Sequence, residues 1–273
     1  MNRNSRRICG RKTITDPTPC QTPSTSDLKV LPSRFPLPFI GCNLITYQPK
    51  TVAFKVGCFD AHTGAPSANC SANLSIAPVE FSGGHDHDDA NRPPGTLDVT
   101  SGATGAAGLP VTYTAPEVSG DMTLSLSGTD SSGAPLVAST ATIHVEVEGL
   151  APLADAPQYY ALVGSKPEHE DNHFSLPYMN TALVAIAKDV STDPAFSGVT
   201  ISYNDQSLVQ GGIFDLSQNW GPPHCGHLSL GGGTNNVDVG LVDLTLRARL
   251  EKIIKKHGGR VCVKHADHWH LCF

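Results

Sequence analysis

Six of the twelve histidines, His224, His227, His257, His265, His268 and His270, fall in the last fifty residues of a 273-residue chain. His268 and His270 stand two apart on a predicted strand, which puts both imidazoles on one face. Such a face is costly as core and apt as a metal site, because neutral imidazole is the commonest metal ligand. A catalytic zinc takes three protein ligands and keeps a position open for water. His227 and Asp238, on either side of Gly231-Gly232-Gly233, are the companions the pattern offers. Taken singly, each histidine reads as a surface or hydrogen-bonded residue; the cluster is what points to metal.

Other reactive residues have blander readings. Gly84-His85-Asp86-His87-Asp88-Asp89 could bind a metal through its paired histidines, but no third ligand is evident, so it reads first as a polar loop of the sandwich. His169 and His173 flank acidic residues and are expected on the surface. Cys225, between two histidines, suits either a disulfide or a Cys/His metal set. Asp267, three before His270, reads first as an ordinary turn aspartate between strands, with a catalytic carboxylate as the alternative. Cys262 and Cys272 sit symmetrically about the last turn and pair across it if the geometry permits.

The elements that must position these groups follow from periodicity. Residues 1–44 read as a low-complexity tail, with three prolines among Thr, Ser and Asp in Thr13–Ser26 and no sustained period. Residues 45–150 are short alternating stretches (51–56, 97–99, 111–114, 122–126 and 142–147) separated by Gly, Pro, Asn and Asp. That pattern predicts an antiparallel β-sandwich. Gly149–Pro157 reads as an exposed linker. Residues 151–273 are expected to be α+β with a small antiparallel sheet. Leu183, Ile186, Ala187 and Val190 share one helical face, and Leu246, Leu250, Ile253, Ile254 and His257 another. Asp243 is the expected N-cap of the second helix, and Gly258-Gly259 its end. Strands at 260–264 and 268–272 close the chain as a hairpin, with Trp269 and Leu271 facing the core.

Composition excludes several classes. No apolar run approaches the roughly 20 residues of a membrane-spanning helix. A net charge of −6 argues against a nucleic-acid binder that neutralises phosphates. Eight cysteines in a chain only 16% charged favour an oxidising compartment. Met1–Lys12 is basic with no apolar run after it, so no signal peptide is legible. Composition points to a secreted, periplasmic or envelope protein.

Two resemblances sharpen this reading. Gly102–Pro116 with Val118-Ser119-Gly120 loosely resembles the immunoglobulin-like repeats of bacterial surface proteins. Asn204–Leu208, Gly211–Asp215, Trp220–His227, Val237–Val239 and His265–Leu271 occur in an order similar to the zinc peptidases that group lysostaphin, D-alanyl-D-alanine peptidases and the penicillin-insensitive murein endopeptidases. The resemblance covers roughly residues 158–273. It implies that His227, Asp238 and His270 hold Zn2+, that His268 orients water or stabilises the oxyanion, and that His224 and His265 line the cleft. It departs from the family in a longer His227–Asp238 spacing, in Leu228, and in Cys272 where arginine is usual.

The expected architecture is therefore multi-domain: an all-β immunoglobulin-like sandwich followed by an α+β zinc-peptidase-like unit. The expected activity is hydrolysis of an amide bond in peptidoglycan or another cell-wall peptide by metal-activated water. A secreted, non-catalytic zinc-containing binding protein and a surface adhesin are the alternatives. No nucleic-acid partner and no transmembrane segment are expected.

Overall fold

Among the described residues two large apolar cores stand out, each built by the period its residues carry, beside a small cluster of Cys58, Cys70 and Leu136. The computed structural model describes residues 19–23, 27–30, 51–60, 64–67, 69–147, 149–220, 236–240, 243 and 245–273. Among the described residues the protein is mostly β-sheet with two α-helices.

The first core lies between two sheets. Its strands are β1 (Pro19–Pro23), β2 (Asp27–Val30), β3 (Thr51–Asp60), β4 (Pro66–Ser67), β5 (Cys70–Pro78), β6 (Thr96–Leu97), β7 (Ser101–Thr104), β8 (Leu109–Thr114), β9 (Gly120–Thr129) and β10 (Ser139–Val145). One sheet runs β1-β3-β8-β6 with β4 also on β3; the other runs β2-β10-β9-β5-β7. Alternate side chains turn inward, Phe54, Val56, Val111 and Tyr113 from the first and Leu74, Met122, Leu124, Leu126 and Ile143 from the second. The period of two fixes which face is buried.

Strands β1 and β2 correct the expectation that residues 1–44 are only a tail, since both pair at sheet edges. An edge strand needs only one partner, so proline at the ends of β1 is tolerated there. The nine-residue β5 was not expected either. It lies inside its sheet between β9 and β7.

The second core follows. Its elements are β11 (Ala151–Pro152), β12 (Tyr160–Val163), β13 (Phe174–Ser175), α1 (Pro177–Thr192), β14 (Ile201–Asn204), β15 (Asn236–Gly240), α2 (Arg247–Lys256), β16 (Arg260–Lys264) and β17 (His268–Cys272). The main sheet runs β12-β14-β15-β17-β16, with β12 parallel to β14 and the remaining pairs antiparallel. Met179, Leu183, Ile186, Ala187 and Val190 of α1 and Leu250 and Ile254 of α2 cover one face of it. Beneath them lie Tyr203, Val237, Val239, Trp269 and Leu271. A fully buried leucine such as Leu183 contributes on the order of 2–5 kcal/mol against truncation to alanine.

Three local expectations change. Asp243 does not cap α2: its Oδ1 accepts the Thr245 amide at 2.8 Å in the turn ahead of the helix, and Leu246 immediately precedes α2. Residues 149–157 are largely exposed, as expected of a linker, but they are anchored, because β11 pairs with β13 and Leu153 is buried in the second core. Cys262 and Cys272 are joined by a disulfide across β16–β17 with Cα atoms 6.0 Å apart. Among the described residues no helix is long and apolar enough to cross a membrane.

Candidate metal centres

With the core face of the sheet committed to Val237, Val239, Trp269 and Leu271, the period of two sends Asp238, His268 and His270 to the other face. Asp238 and His270 are direct cross-strand partners in β15–β17. The Asp238 carboxylate turns toward His270, with Oδ1 2.6 Å from Nδ1. The His270 Nε2 lies 2.9 Å from His265 Nε2, and both Asp238 and His270 are buried. His265 sits in the turn between β16 and β17, where its amide donates to the His268 carbonyl at 2.9 Å. Its ring stacks on His268 with centroids 4.4 Å apart.

His268 faces two carboxylates. Nε2 is 3.7 Å from Asp238 Oδ2, and Nδ1 is 2.9 Å from Asp267 Oδ1. The backbone amide of Asp267 itself and the His268 ring hold the Asp267 carboxyl below the usual carboxylate range. Donor nitrogens of His265, His268 and His270 all lie within 4.8 Å of one another, a spacing that suits one metal ion or its immediate surroundings. Thus His265, His268, His270 and Asp238 come together. His224 and His227 lie outside the described residues.

A second cluster supplies the partners that the His85/His87 pair lacks in the sequence. His85 and His87 leave the loop after β5, His169 comes from the loop after β12, and Asp215 follows β14. All four are buried, which overturns the surface reading of His169 and the polar-loop reading of His85 and His87. Asp215 Oδ1 stands 3.6 Å from His85 Nδ1, 3.3 Å from His87 Nε2 and 3.4 Å from His169 Nε2. The two Nε2 atoms of His87 and His169 are 3.1 Å apart. The available sequence signal was the His85-x-His87 pair; its partners are brought in by the chain's long-range path, His169 from 82 residues away.

The loop reaches this position because two successive glycines, Gly83 (φ +77°) and Gly84 (φ +86°), take left-handed backbone. A Cβ at Gly83 would stand 2.6 Å from the Ser119 carbonyl, and one at Gly84 3.1 Å from Leu208 Cβ. Buried Arg92 pins the same loop by donating to the Ser119 carbonyl and, at 3.0 Å, to Ser82 Oγ. Burial, with Arg92 nearby, pushes His85 down to about 3, so the ring is the neutral, ligating form. Burial pushes the Asp215 carboxyl up, but His169, the Trp220 amide, His87 and His85 outweigh it and leave the group ionised below its ordinary range.

No protein-family model matches the chain, and no curated protein matches it in sequence. Among solved structures, the chain is similar to an ASH/PapD-like domain of human CEP192 (PapD-like domain 7), at 12% identity and a TM-score of 0.32, over 54% of this chain and 99% of that domain. An overlap that loose carries no argument about fold or function.

Proposed function

We propose that the protein is a zinc-dependent peptidase of the secreted or envelope compartment that hydrolyses an amide bond in peptidoglycan peptides. The observation that carries this reading is the Asp238–His270 cross-strand pair with His268 and His265 gathered beside it. The donor chemistry fits: imidazole with one carboxylate is a set that zinc accepts, whereas calcium and magnesium call for oxygen alone. Asp238 and His270 would hold the ion together with His227, the third ligand that the resemblance to the murein endopeptidase group supplies. Bound zinc polarises the scissile carbonyl and makes its water acidic near neutral pH.

The chain's own groups then have distinct tasks. Metal binding through His270 Nδ1, on the side of Asp238, would leave Nε2 to donate to His265, 2.9 Å away. His265 is thus a positioning residue. His268 donates from Nδ1 to Asp267, which leaves Nε2 to take a proton from the attacking water. Asp267 stabilises the resulting imidazolium, and the same Nε2 proton passes to the leaving amine. In this reading residues 45–150 form an immunoglobulin-like sandwich that acts as a spacer or wall-targeting module ahead of the 151–273 peptidase unit.

The test is metal-dependent digestion of cross-linked peptidoglycan. Zinc-loaded protein is expected to release soluble muropeptides, a chelator to stop release, and added zinc to restore it. If zinc-loaded protein releases nothing from several cross-link types, the peptidase reading fails and a zinc-containing binding protein replaces it.

A further inference from the structure

We infer that His85, His87, His169 and Asp215 form a second, closed zinc site that staples the β-sandwich to the sheet-and-helix unit. Zinc with four bonds of about 2.0–2.1 Å requires donor atoms about 3.3–3.4 Å apart. The three histidine–Asp215 separations are 3.3, 3.4 and 3.6 Å and the His87–His169 separation is 3.1 Å, with all four donors inside 4.8 Å. Hydrogen bonding accounts for only part of the arrangement: the His87–His169 contact, His169 on Asp215 and the Trp220 amide on Asp215. Among the described residues neither ring nitrogen of His85, nor His87 Nδ1, has a hydrogen-bond partner, although all are shut off from water. Buried polar atoms left in that state are costly, and a shared cation satisfies several of them at once. Three imidazoles and a carboxylate favour zinc over calcium or magnesium.

Four protein ligands and no open position describe a structural site rather than a catalytic one. The surroundings support the ligands as an outer shell should. Asp215 Oδ2 accepts the Trp220 amide at 2.6 Å, and the Trp220 indole donates to the Asp88 carbonyl at 3.1 Å. The Trp220 ring stacks on His87 with centroids 4.5 Å apart.

The location gives the site its role. His85 and His87 belong to the sandwich, while His169 and Asp215 belong to the second unit. Backbone contacts run alongside: the Asp86 amide donates to Glu168 at 3.0 Å and the Ile213 amide to Glu117 at 3.1 Å. Ser119 Oγ donates to the Gly211 carbonyl at 2.5 Å. An ion at this point fixes how the two cores dock.

The experiment counts zinc per full-length chain by mass spectrometry after dialysis against a weak chelator. Wild-type protein should hold two equivalents and His270→Ala one. That remaining equivalent should be lost when His85→Gln or Asp215→Asn is added. Both staple variants should also open residues 149–157 to protease, whereas His270→Ala alone should not. In case the staple variants do not fold, zinc-edge X-ray absorption on His270→Ala should show three imidazoles and no bound water. Retention of no zinc by His270→Ala, or fewer than three imidazoles around what it retains, overturns the inference. Neither result bears on the peptidase reading, which muropeptide release judges separately.

Discussion

Replacing His268 by alanine separates proton transfer from metal binding. His268 Nε2 lies 3.7 Å from Asp238 Oδ2 and its Nδ1 is engaged by Asp267, whereas His270 Nδ1 is 2.6 Å from Asp238. His268→Ala should therefore keep its zinc. Positioned acid–base groups contribute about 10²–10⁴ in rate, or roughly 2.7–5.5 kcal/mol of barrier at about 1.36 kcal/mol per tenfold. A fall of that size in kcat, with KM little changed, is the expected result. Asp267→Asn should cost far less, about fivefold, because the Asp267 side chain is 84% exposed and a hydrogen bond in water is worth only about 1 kcal/mol. His270→Ala should lose activity together with one of the two zinc equivalents. Steady-state kinetics on a defined cross-linked peptide and zinc analysis of the same samples provide the readouts. Loss of zinc from His268→Ala would make it a ligand, and retention of most activity would remove its proton role; either refutes the assignment.

Three further outcomes test the scaffold. Gly83→Ala combines a left-handed φ with a Cβ 2.6 Å from the Ser119 carbonyl, so it should destabilise the fold by about 1–3 kcal/mol in denaturant titrations; a change below about 0.5 kcal/mol contradicts the reading of the loop. Cys262→Ser opens a disulfide spanning 10 residues, for which the chain-entropy model gives about 2.7 kcal/mol, measurable as a lower unfolding midpoint. Asp189 accepts from Lys256 and His257 at 2.7 and 2.8 Å, and these contacts hold its carboxyl below the ordinary range. Their stabilisation is complete above the unfolded carboxyl value and disappears as pH falls through the lower folded one. Asp189→Asn should thus cost about 0.2–1 kcal/mol at pH 7, as a partly exposed pair does, and nothing at pH 2.

How far the sequence disclosed this protein depended on whether a feature was local. The hairpin of β16 and β17 has the bounds its alternation predicted, and α1 buries the four residues that its helical spacing marked. The face shared by Asp238, His268 and His270 was legible for the same reason, since alternation along a strand decides it. Strand β5 was not. Its inward residues include Cys70 and Ala72 and its outward ones Ser71, Asn73 and Ser75, so the contrast in hydrophobicity along it is small. Strands β1 and β2 are held by backbone pairing at sheet edges, which leaves little mark on side-chain type. The cluster of His85, His87, His169 and Asp215 depends on how two separate cores dock. His85-x-His87 therefore looked like a loop with too few ligands until the fold supplied the other two.

Digestion of cross-linked peptidoglycan in oxygen-18 water, with the products resolved by mass spectrometry, tests the proposed hydrolase most directly. Amide hydrolysis by zinc-loaded protein predicts one oxygen-18 in the new carboxyl group of each released peptide, matched by a new free amine, and no such products from His270→Ala. Release that carries the label at a new reducing sugar end, or no labelled peptide from the zinc-loaded wild-type protein, would contradict it.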